Sequence, residues 1–362
     1  MNHTLIRILL LLLSTAPAIS GQQPATGDLP AGPKSIILIV ADGMGIGQHT
    51  MAYYFTDRYS PAAFEHVGLM TTHLADTTRV TDSGAAGTAM ATGVKTARGV
   101  IGMDAEYRSV KTVLEHAKDG GLATGLISTT NITDATPAAF ATHNKTRRDH
   151  EGIAKQMSAA GIDVLFGGGR KNFLGKEKGG IQEIDLLEVM ASDGAQIISS
   201  LDEITTYDRP VVGLFAPGPM MDAPKRTPTL TQMALKAIDI LDDDPDGFFI
   251  MIEEEMTDNR SHDNKFDATR EHLVILNDLI EAVLAYQSNY PQVLVLFLAD
   301  HETGGWILEK KSGHPGQPRW TTHEHTGNLV PIFASGPGSE AFDAVVDNTF
   351  IGKKLIEYIN AR

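Results

Sequence analysis

Residues 35–45 read SIILIVADGMG, and this stretch decides the fold. The run from Ser35 to Val40 has the length of a strand and is almost wholly apolar, without polar alternation. Such a run is typical of a sheet that is buried on both faces. Asp42 follows it directly, at the end where open α/β sheets gather their ligands. The stretch therefore predicts a buried parallel strand with a carboxylate at its functional end.

Further apolar runs along the chain alternate with helical patterns. The strand candidates are Leu122 to Ile127, Asp163 to Phe166, Val211 to Phe215, Gly247 to Ile252, Val293 to Leu298 and Leu329 to Ala334. The helix candidates include Val110 to Lys118, Gln232 to Leu241, Ala268 to Tyr286 and Ile351 to Ile359. This alternation predicts an α/β fold: a doubly wound, mostly parallel central sheet with helices on both faces.

The composition limits the class of partner. The chain has 362 residues, a formal net charge of −15 and no cysteine. No basic stripe is available for nucleic acid or an anionic membrane, and neither a disulfide nor a lipoprotein cleavage site can form. A small anionic substrate remains compatible with this charge, because a few buried cations can reverse the local field.

The first residues have the pattern of a signal peptide. Arg7 precedes the apolar run Ile8 to Leu13, and the small-residue stretch Ala16 to Ser20 follows. The apolar run is too short to span a bilayer. We expect a signal peptide at 1–20, a linker at 21–34 and one domain at 35–362, exported to the periplasm or the medium and free of the membrane after cleavage. A retained N-terminal anchor is the alternative.

Carboxylates and imidazoles fall at the ends of three predicted strands. Asp42, Glu253 and the pair Asp300-His301 each follow such a strand. One Asp in that position is usually a helix cap or a turn residue. Three such ends converge at one edge of a parallel sheet, so we expect these side chains to meet.

A second set has the spacing of metal ligands. Asp258 and His262 lie four residues apart, which puts them on one face of a helix or tight turn, and His325 could supply a third ligand. The i,i+4 pair alone is weak, because such pairs are common on surfaces. Histidine and carboxylate ligands without thiolates suit Zn²⁺, and Co²⁺ or Mn²⁺ less often, whereas a neighbouring site made mainly of oxygens suits Mg²⁺.

Ser83 is the candidate nucleophile. It lies in the small-residue run Val80 to Gly93, which predicts a closely packed helix beginning at Ser83. Asp82 or Ser83 could equally be a simple cap of this helix, although a helix N-terminus also favours bound phosphate. No GxSxG motif and no adjacent histidine is present, so a metal would have to lower the pKa of the hydroxyl.

Six segments, in order, closely resemble the alkaline phosphatases. They are Val40 to Gly45, Thr81 to Ala86, Thr92 to Thr96, Asp134 to Ala138, Ala299 to Gly305 and His325 to Gly327. The resemblance implies an alkaline phosphatase-like catalytic domain at 35–362. It also implies hydrolysis of phosphate monoesters to alcohol and inorganic phosphate through a phosphoserine at Ser83.

The resemblance further implies a site for two Zn²⁺ ions and one Mg²⁺ ion. Asp258, His262 and His325 would bind the first zinc. Asp42, Asp300 and His301 would bind the second, which also activates Ser83. Asp42 would bridge to the magnesium, whose shell Thr136 and Glu253 would complete. Arg147, thirteen residues after Asp134, matches the phosphate-clamping arginine of the family; a solvated helix start is its alternative interpretation.

The stretch from Glu253 to Ser261 departs from the family pattern. Family members usually carry a small residue after the metal-binding glutamate, whereas this chain has Glu253-Glu254-Glu255. Glu253 is preferred because it directly follows the strand and lies five residues before Asp258; Glu254 remains possible. Asn259, with Asp134, is expected to contact the substrate and to set phosphate affinity and metal preference. His323 is a competing ligand to His325.

Two rival functions stay open at this level. Within the same superfamily, a phosphodiesterase or a sulfate- or phosphonate-ester hydrolase would share the metal core, although Ser83 and Arg147 favour monoesters. A non-catalytic phosphate- or metal-binding protein of the envelope is the rival from another class. A homodimer is possible.

Overall fold

The computed structural model of the protein describes residues 32–362 apart from 77, 221, 312 and 313. The predicted signal peptide at 1–20 lies outside the described residues, as does most of the predicted linker at 21–34. None of the helices within the described part of the chain combines the length and the apolarity needed to cross a bilayer.

The strands fall into one large sheet and two small ones. Strands of the large sheet are β1 (Ser35–Ala41), β2 (His66–Thr71), β3 (Ala123–Asn131), β4 (Val164–Gly168), β5 (Gln196–Ile198), β6 (Val211–Leu214), β7 (Phe248–Glu254), β8 (Val293–Leu298), β13 (Val330–Ser335) and β14 (Val345–Asp347). The two-stranded sheets pair β9 (Glu302–Thr303) with β12 (His325–Thr326), and β10 (Ile307–Lys311) with β11 (His314–Arg319).

The order of the large sheet is β14-β2-β13-β8-β1-β7-β3-β4-β6-β5. Among the described residues, all its neighbouring strands run parallel except for β13, which is antiparallel to both β2 and β8. The central strands β1, β7 and β8 are buried along their whole length. The predicted fold class, a mostly parallel sheet covered on both faces, is confirmed.

Helices cover the sheet between these strands. They are α1 (Ile46–Phe55), α2 (Ser83–Thr92), α3 (Val113–Asp119), α4 (Ala135–Ala141), α5 (His150–Ala159), α6 (Leu186–Ser192), α7 (Leu230–Leu241), α8 (Met256–His262), α9 (Phe266–Asn289) and α10 (Thr349–Asn360). The helix predicted from Val110 begins later because of a capping box. Thr112 accepts from the Glu115 amide, and the Glu115 carboxylate accepts from the Thr112 amide.

Helix α2, which begins at Ser83, is closely packed against its neighbouring helices. All its residues are buried. A Cβ on Gly352 of α10 would lie 2.3 Å from the Gly93 nitrogen at the end of α2, and a Cβ on Gly87 would lie 3.1 Å from Cβ of Ala139 in α4. Small residues therefore let α10 and α4 approach α2, as the composition of this segment predicts.

Candidate metal centre and nucleophile

Three adjacent central strands bring their carboxylates to one edge of the sheet. Val40 of β1 is in register with Glu253 of β7 and with Leu298 of β8, so Asp42 and Asp300 follow at the same level. The Asp300 carboxylate accepts from the Gly43 amide at 3.1 Å. The structure thus brings together the strand-end side chains that the sequence placed separately.

The first group of side chains consists of Asp258, His262 and His325. The Nε2 atoms of the two histidines lie 3.1 Å apart, and Nε2 of His262 lies 3.4 Å from Oδ2 of Asp258. Thr303 donates to Oδ1 of Asp258 at 2.5 Å, and Nδ1 of His325 lies 2.9 Å from the Thr81 carbonyl oxygen. These contacts aim three ligand atoms at one point, where they could hold a cation.

The charges of this first group are coupled. Burial opposes ionisation of Asp258, but its hydrogen bond with His262 and the nearby imidazoles lower its pKa to about 2. The same hydrogen bond raises the pKa of His262 to about 9. The protonated imidazole therefore neutralises the carboxylate, and a metal ion binding here would replace that proton.

The second group surrounds the candidate nucleophile. Nε2 of His301 lies 3.3 Å from Oγ of Ser83, 3.3 Å from Oδ2 of Asp300 and 3.5 Å from Oδ1 of Asp42. All four side chains are buried. Burial lowers the pKa of His301 to about 4, so its imidazole is neutral near pH 7, the form that binds metals.

The third group is built from oxygens. Asp42, Glu253 and Glu255 each offer one oxygen, and these atoms all lie within 4.8 Å of one another. Burial, together with Asp134 and Asp300, raises the pKa of Glu253 to about 8. Burial and neighbouring carboxylates raise the pKa values of Asp42 and Glu255 well above their ordinary range. Each of the three carboxylates therefore favours its neutral form until a cation binds beside it.

Unpaired atoms show what the arrangement needs. Both carboxylate oxygens of Asp42, Oδ2 of Asp300, Oε1 of Glu253 and the hydroxyl of Thr136 are buried without a hydrogen-bond partner. Buried polar groups are nearly always satisfied, so such a concentration at one place calls for a missing partner. Carboxylate oxygens, a hydroxyl and neutral imidazoles are donors for divalent cations, and the residues present therefore fit metal binding.

The cap of α2 is Asp82, which separates the two interpretations of Ser83. The Asp82 carboxylate accepts from the Ala85 amide at 3.4 Å and from the Gly99 amide at 3.0 Å. Ser83 is the first residue of α2, and its hydroxyl faces His301. The hydroxyl is thus directed at the second group, while the neighbouring carboxylate performs the capping.

Arg147 lies beside this serine segment. It donates to Oδ1 of Asp134 at 2.8 Å and to Oδ2 of Asp82 at 3.5 Å, and its side chain is 29% exposed. Burial opposes its charge, but the two carboxylates raise its pKa above the ordinary value. Helix α5 begins only at His150, so Arg147 is not part of a helix start. A charged guanidinium is therefore held against Asp82, the residue before the candidate nucleophile, and within reach of solvent.

Asp134 and Asn259 approach the third group from two helices. Asp134 caps α4, accepting from the Ala135 amide at 2.6 Å, and places Thr136 in the first turn of that helix. Asn259 of α8 donates to Oε1 of Glu255 at 3.1 Å. Both predicted substrate-contacting residues therefore border the same set of carboxylates.

The two alternative ligands point elsewhere. Glu254 forms an ion pair with Arg226, with Nη1 2.5 Å from Oε2, and its Oε1 lies 3.1 Å from Nδ1 of His272. Nδ1 of His323 lies 2.8 Å from the carbonyl oxygen of His262. Neither Glu254 nor His323 belongs to the three groups.

Several supporting residues have no assignment from sequence reasoning. Thr81 and Thr303 orient the first group, and Ser128 donates to Oε2 of Glu253 at 2.5 Å. Thr81 and Thr303 lie inside the motifs that carry Ser83 and His301, so the motifs could have pointed to them as supporting residues. Ser128 lies in β3, opposite Glu253 in the parallel ladder, and only the strand order reveals it.

Comparisons with known proteins agree with one another. The family model described as alkaline phosphatase matches residues 33–316. Alkaline phosphatase 3 of Bacillus subtilis is 30% identical over 95% of this chain and 92% of its own length. The solved alkaline phosphatase of the Antarctic bacterium TAB5 is 30% identical, with a TM-score of 0.84 over 91% of this chain and 98% of that one. A mutant of the TAB5 enzyme, described with Mg bound in the M3 site, gives a TM-score of 0.83.

Proposed function

The chain belongs to the alkaline phosphatase family, which implies phosphatase activity, and we propose that it hydrolyses phosphate monoesters to an alcohol and inorganic phosphate. One observation carries the proposal. The hydroxyl of Ser83 lies 3.3 Å from a neutral, buried imidazole, within a set of carboxylate atoms that have no hydrogen-bond partner.

We assign the three groups to two zinc ions and one magnesium ion. Asp258, His262 and His325 would hold the first zinc, and Asp42, Asp300 and His301 the second. Thr136 and Glu253, with Asp42 shared, would hold the magnesium. The first group offers nitrogen and oxygen donors, Nε2 of His301 lies within 3.5 Å of oxygens of Asp42 and Asp300, and the third group offers only oxygens, which supports this division. When bound, the cations supply Lewis acidity that favours ionised Ser83 and stabilises charge on the attacking and leaving oxygens.

The reaction has two displacement steps, in which Ser83 is the nucleophile of the first and the leaving group of the second. Its Oγ forms a bond to phosphorus while the bond to the ester oxygen breaks, which releases the alcohol and leaves a phosphoserine. Water then attacks phosphorus, the bond to Oγ breaks, and inorganic phosphate leaves. The position of Ser83 at the start of α2 suits this role, because a helix N-terminus favours the negative charge of the phosphoryl group.

Arg147 binds and orients the phosphoryl group. A planar guanidinium can donate to two phosphate oxygens at once. Asp134 and Asp82 hold the guanidinium at the edge of the site, where its 29% exposure leaves it open to an incoming substrate. Asp134 and Asn259 complete the substrate contacts.

The N-terminal residues support export of the enzyme. We propose that the signal peptide at 1–20 directs the chain to the periplasm or the medium, and that residues 35–362 act as one catalytic domain. Association of two chains into a homodimer stays a prediction, and the mass of the purified protein in solution would test it.

A panel of three esters tests the proposed reaction. We expect fast turnover of an aryl phosphate and at least a hundredfold slower turnover of a bis-aryl phosphate and an aryl sulfate, since Arg147 and Ser83 suit a doubly charged phosphoryl group; one such factor corresponds to about 2.7 kcal/mol of transition-state binding. Faster diester or sulfate cleavage would contradict the monoesterase assignment. No turnover by metal-loaded protein would instead indicate a binding protein.

A further inference from the structure

Three consecutive glutamates end β7 and begin α8, and each has different surroundings. Glu253 faces the third group, with Ser128 donating to its Oε2 at 2.5 Å. Glu254 turns to the opposite face of β7 and pairs with Arg226. Glu255 turns back toward Asp42 and Glu253. Two of the three side chains therefore share one buried space.

We propose that Glu255 is an additional ligand of the third cation, so that this site has three carboxylates, from Asp42, Glu253 and Glu255, beside the hydroxyl of Thr136. The proposal rests on the function proposed above, because it concerns the cation assigned to that same site. It adds Glu255 to the ligands that the resemblance implies for this cation, which are Asp42, Thr136 and Glu253.

The geometry of the oxygens is the first support. One oxygen from each of Asp42, Glu253 and Glu255 lies within 4.8 Å of the other two, which allows all three to reach one ion. A cluster of acids alone would not make a site. Here Oε1 of Glu253 and the hydroxyl of Thr136 are also unpartnered, and their residues are 0% and 1% exposed. The Thr136 hydroxyl is not part of the acidic cluster, so its missing partner is an independent indication of a cation at this place.

The position of Glu255 in its helix is the second support. Glu255 is the N-cap of α8, where a side chain ordinarily accepts from the first-turn amides, but its carboxylate makes no capping hydrogen bond. Its own amide donates to the Thr129 hydroxyl at 3.0 Å, and Asn259, one turn later, donates to its Oε1 at 3.1 Å. These two contacts hold the carboxylate toward the third group rather than over the helix end.

The contrast with Glu254 is the third support. Glu254 is equally buried, but Arg226, His272 and the hydroxyl of Thr129 all contact its carboxylate. Glu255 has carboxylates as neighbours and an amide as its side-chain donor, and the charge of Arg147 acts on it without forming an ion pair. A buried carboxylate of that kind needs a positive charge, and a divalent ion shared with Asp42 and Glu253 provides one.

Three carboxylates and a hydroxyl favour a hard divalent ion. Such oxygen ligands suit Mg²⁺ and Mn²⁺ better than softer metals, and affinity rises with the charge of the ligand set. Removing the charge of Glu255 while keeping its shape should therefore weaken binding at this site and leave the two histidine-containing groups loaded.

Manganese provides a readout that does not depend on catalysis. The full chain, saturated with Zn²⁺, is titrated with Mn²⁺ while the free ion is measured by electron paramagnetic resonance. We expect one Mn²⁺ per chain, displaced by Mg²⁺, and roughly 10- to 100-fold weaker binding in Glu255→Gln. Glu254→Gln is the matched control and should bind Mn²⁺ as the unaltered chain does. Unchanged zinc content in both variants shows that they fold.

Each outcome decides for or against the ligand role. Normal Mn²⁺ affinity in Glu255→Gln, with loss of binding in Glu253→Gln, would overturn it and leave the proposed function intact. Equal weakening in Glu254→Gln would also overturn it, since the effect would then be a general loss of negative charge. Mn²⁺ binding that depends on Glu255, in a chain that hydrolyses no ester, would support the cation site and count against the proposed function.

Discussion

Each of the two faces at the end of β7 buries a carboxylate, and the two faces surround it differently. On one face, Glu254 is buried against Arg226 and His272, and the arginine, outweighing the effect of burial, lowers the pKa of this carboxyl to about 2. On the other, Glu253 is buried among carboxylates, and burial raises its pKa to about 8. Adjacent residues of one type thus have opposite charge preferences.

The difference separates a structural carboxylate from a ligand. A buried acid with its own base is a finished ion pair, which stabilises the chain only as long as both partners remain. The negative charge of a buried acid among other acids is not balanced until a cation binds. The unpaired oxygens of Asp42, Glu253 and Asp300 are of the second kind, and they lie beside Ser83. These carboxylates therefore support the proposal that the chemistry takes place on one face of β7.

The largest expected effect comes from removing the nucleophile and leaving both faces intact. Ser83→Ala should lower aryl phosphate turnover by roughly 10⁴-fold or more, because the covalent step is lost. Its zinc and magnesium content should equal that of the unaltered chain. Turnover is measured with matched metal analysis. Near-normal turnover would remove Ser83 from the mechanism, and lost metal would show that the serine helps to build the cation site.

Neutralising one glutamate on each face should have different effects on the stability of the metal-free protein. In the metal-free protein, Glu254→Gln removes the carboxylate charge beside the buried guanidinium of Arg226 and should lower the free energy of unfolding, by up to about 3–5 kcal/mol. Glu253→Gln removes an acid that burial disfavours and should leave that free energy unchanged or raise it. Urea unfolding of the two isosteric variants measures the difference. A larger loss in Glu253→Gln would reverse the comparison.

Removing the phosphate clamp should have a smaller effect, confined to the substrate. Arg147→Ala should weaken inhibition by inorganic phosphate about 10- to 100-fold, as expected for loss of charge-assisted hydrogen bonds. Arg148→Ala, which removes the neighbouring exposed arginine, is the control. Inorganic phosphate should inhibit this variant as strongly as it inhibits the unaltered chain. Identical phosphate inhibition in both variants would exclude the clamp.

The last expected effect is a pH dependence of stability, which marks the face of β7 that carries Glu254. The folded pKa of Glu254, about 2, lies below the ordinary value of 4.5. Its stabilisation is therefore complete above about pH 4.5 and is lost as the pH falls toward 2. Thermal unfolding across this window should depend less on pH in Glu254→Gln than in the unaltered chain. Equal slopes would mean that the ion pair contributes no such linkage.

Much of the site could be predicted because its signals are local. Apolar runs that end in an acid placed Asp42 and Asp300 just beyond β1 and β8, and β8, β1 and β7 lie side by side in the sheet. Glu253, predicted to follow its strand, lies inside β7, which continues to Glu254. The small-residue run predicted the start of α2 at Ser83 correctly. The i,i+4 spacing predicted that Asp258 and His262 share a face of one helix, as they do in α8.

Other features depend on contacts that no local pattern contains. Arg226, which fixes the role of Glu254, comes from a loop 28 residues earlier in the chain. The two-residue period of a strand would have placed Glu254 and Glu253 on opposite faces of the sheet. It does not predict that Arg226 lies on the face of Glu254. The short strands β2, β5 and β14 were not predicted. In β2, for example, burial is irregular, so it lacks the continuous apolar run of the central strands.

Elemental analysis of the purified, extensively dialysed protein tests the central claim most directly. That claim is that cations complete the carboxylates on one face of β7. We predict two zinc ions and one magnesium ion per chain, with aryl phosphate turnover that a chelator abolishes and that zinc plus magnesium restore. A fully folded, active protein without stoichiometric divalent metal would contradict the account.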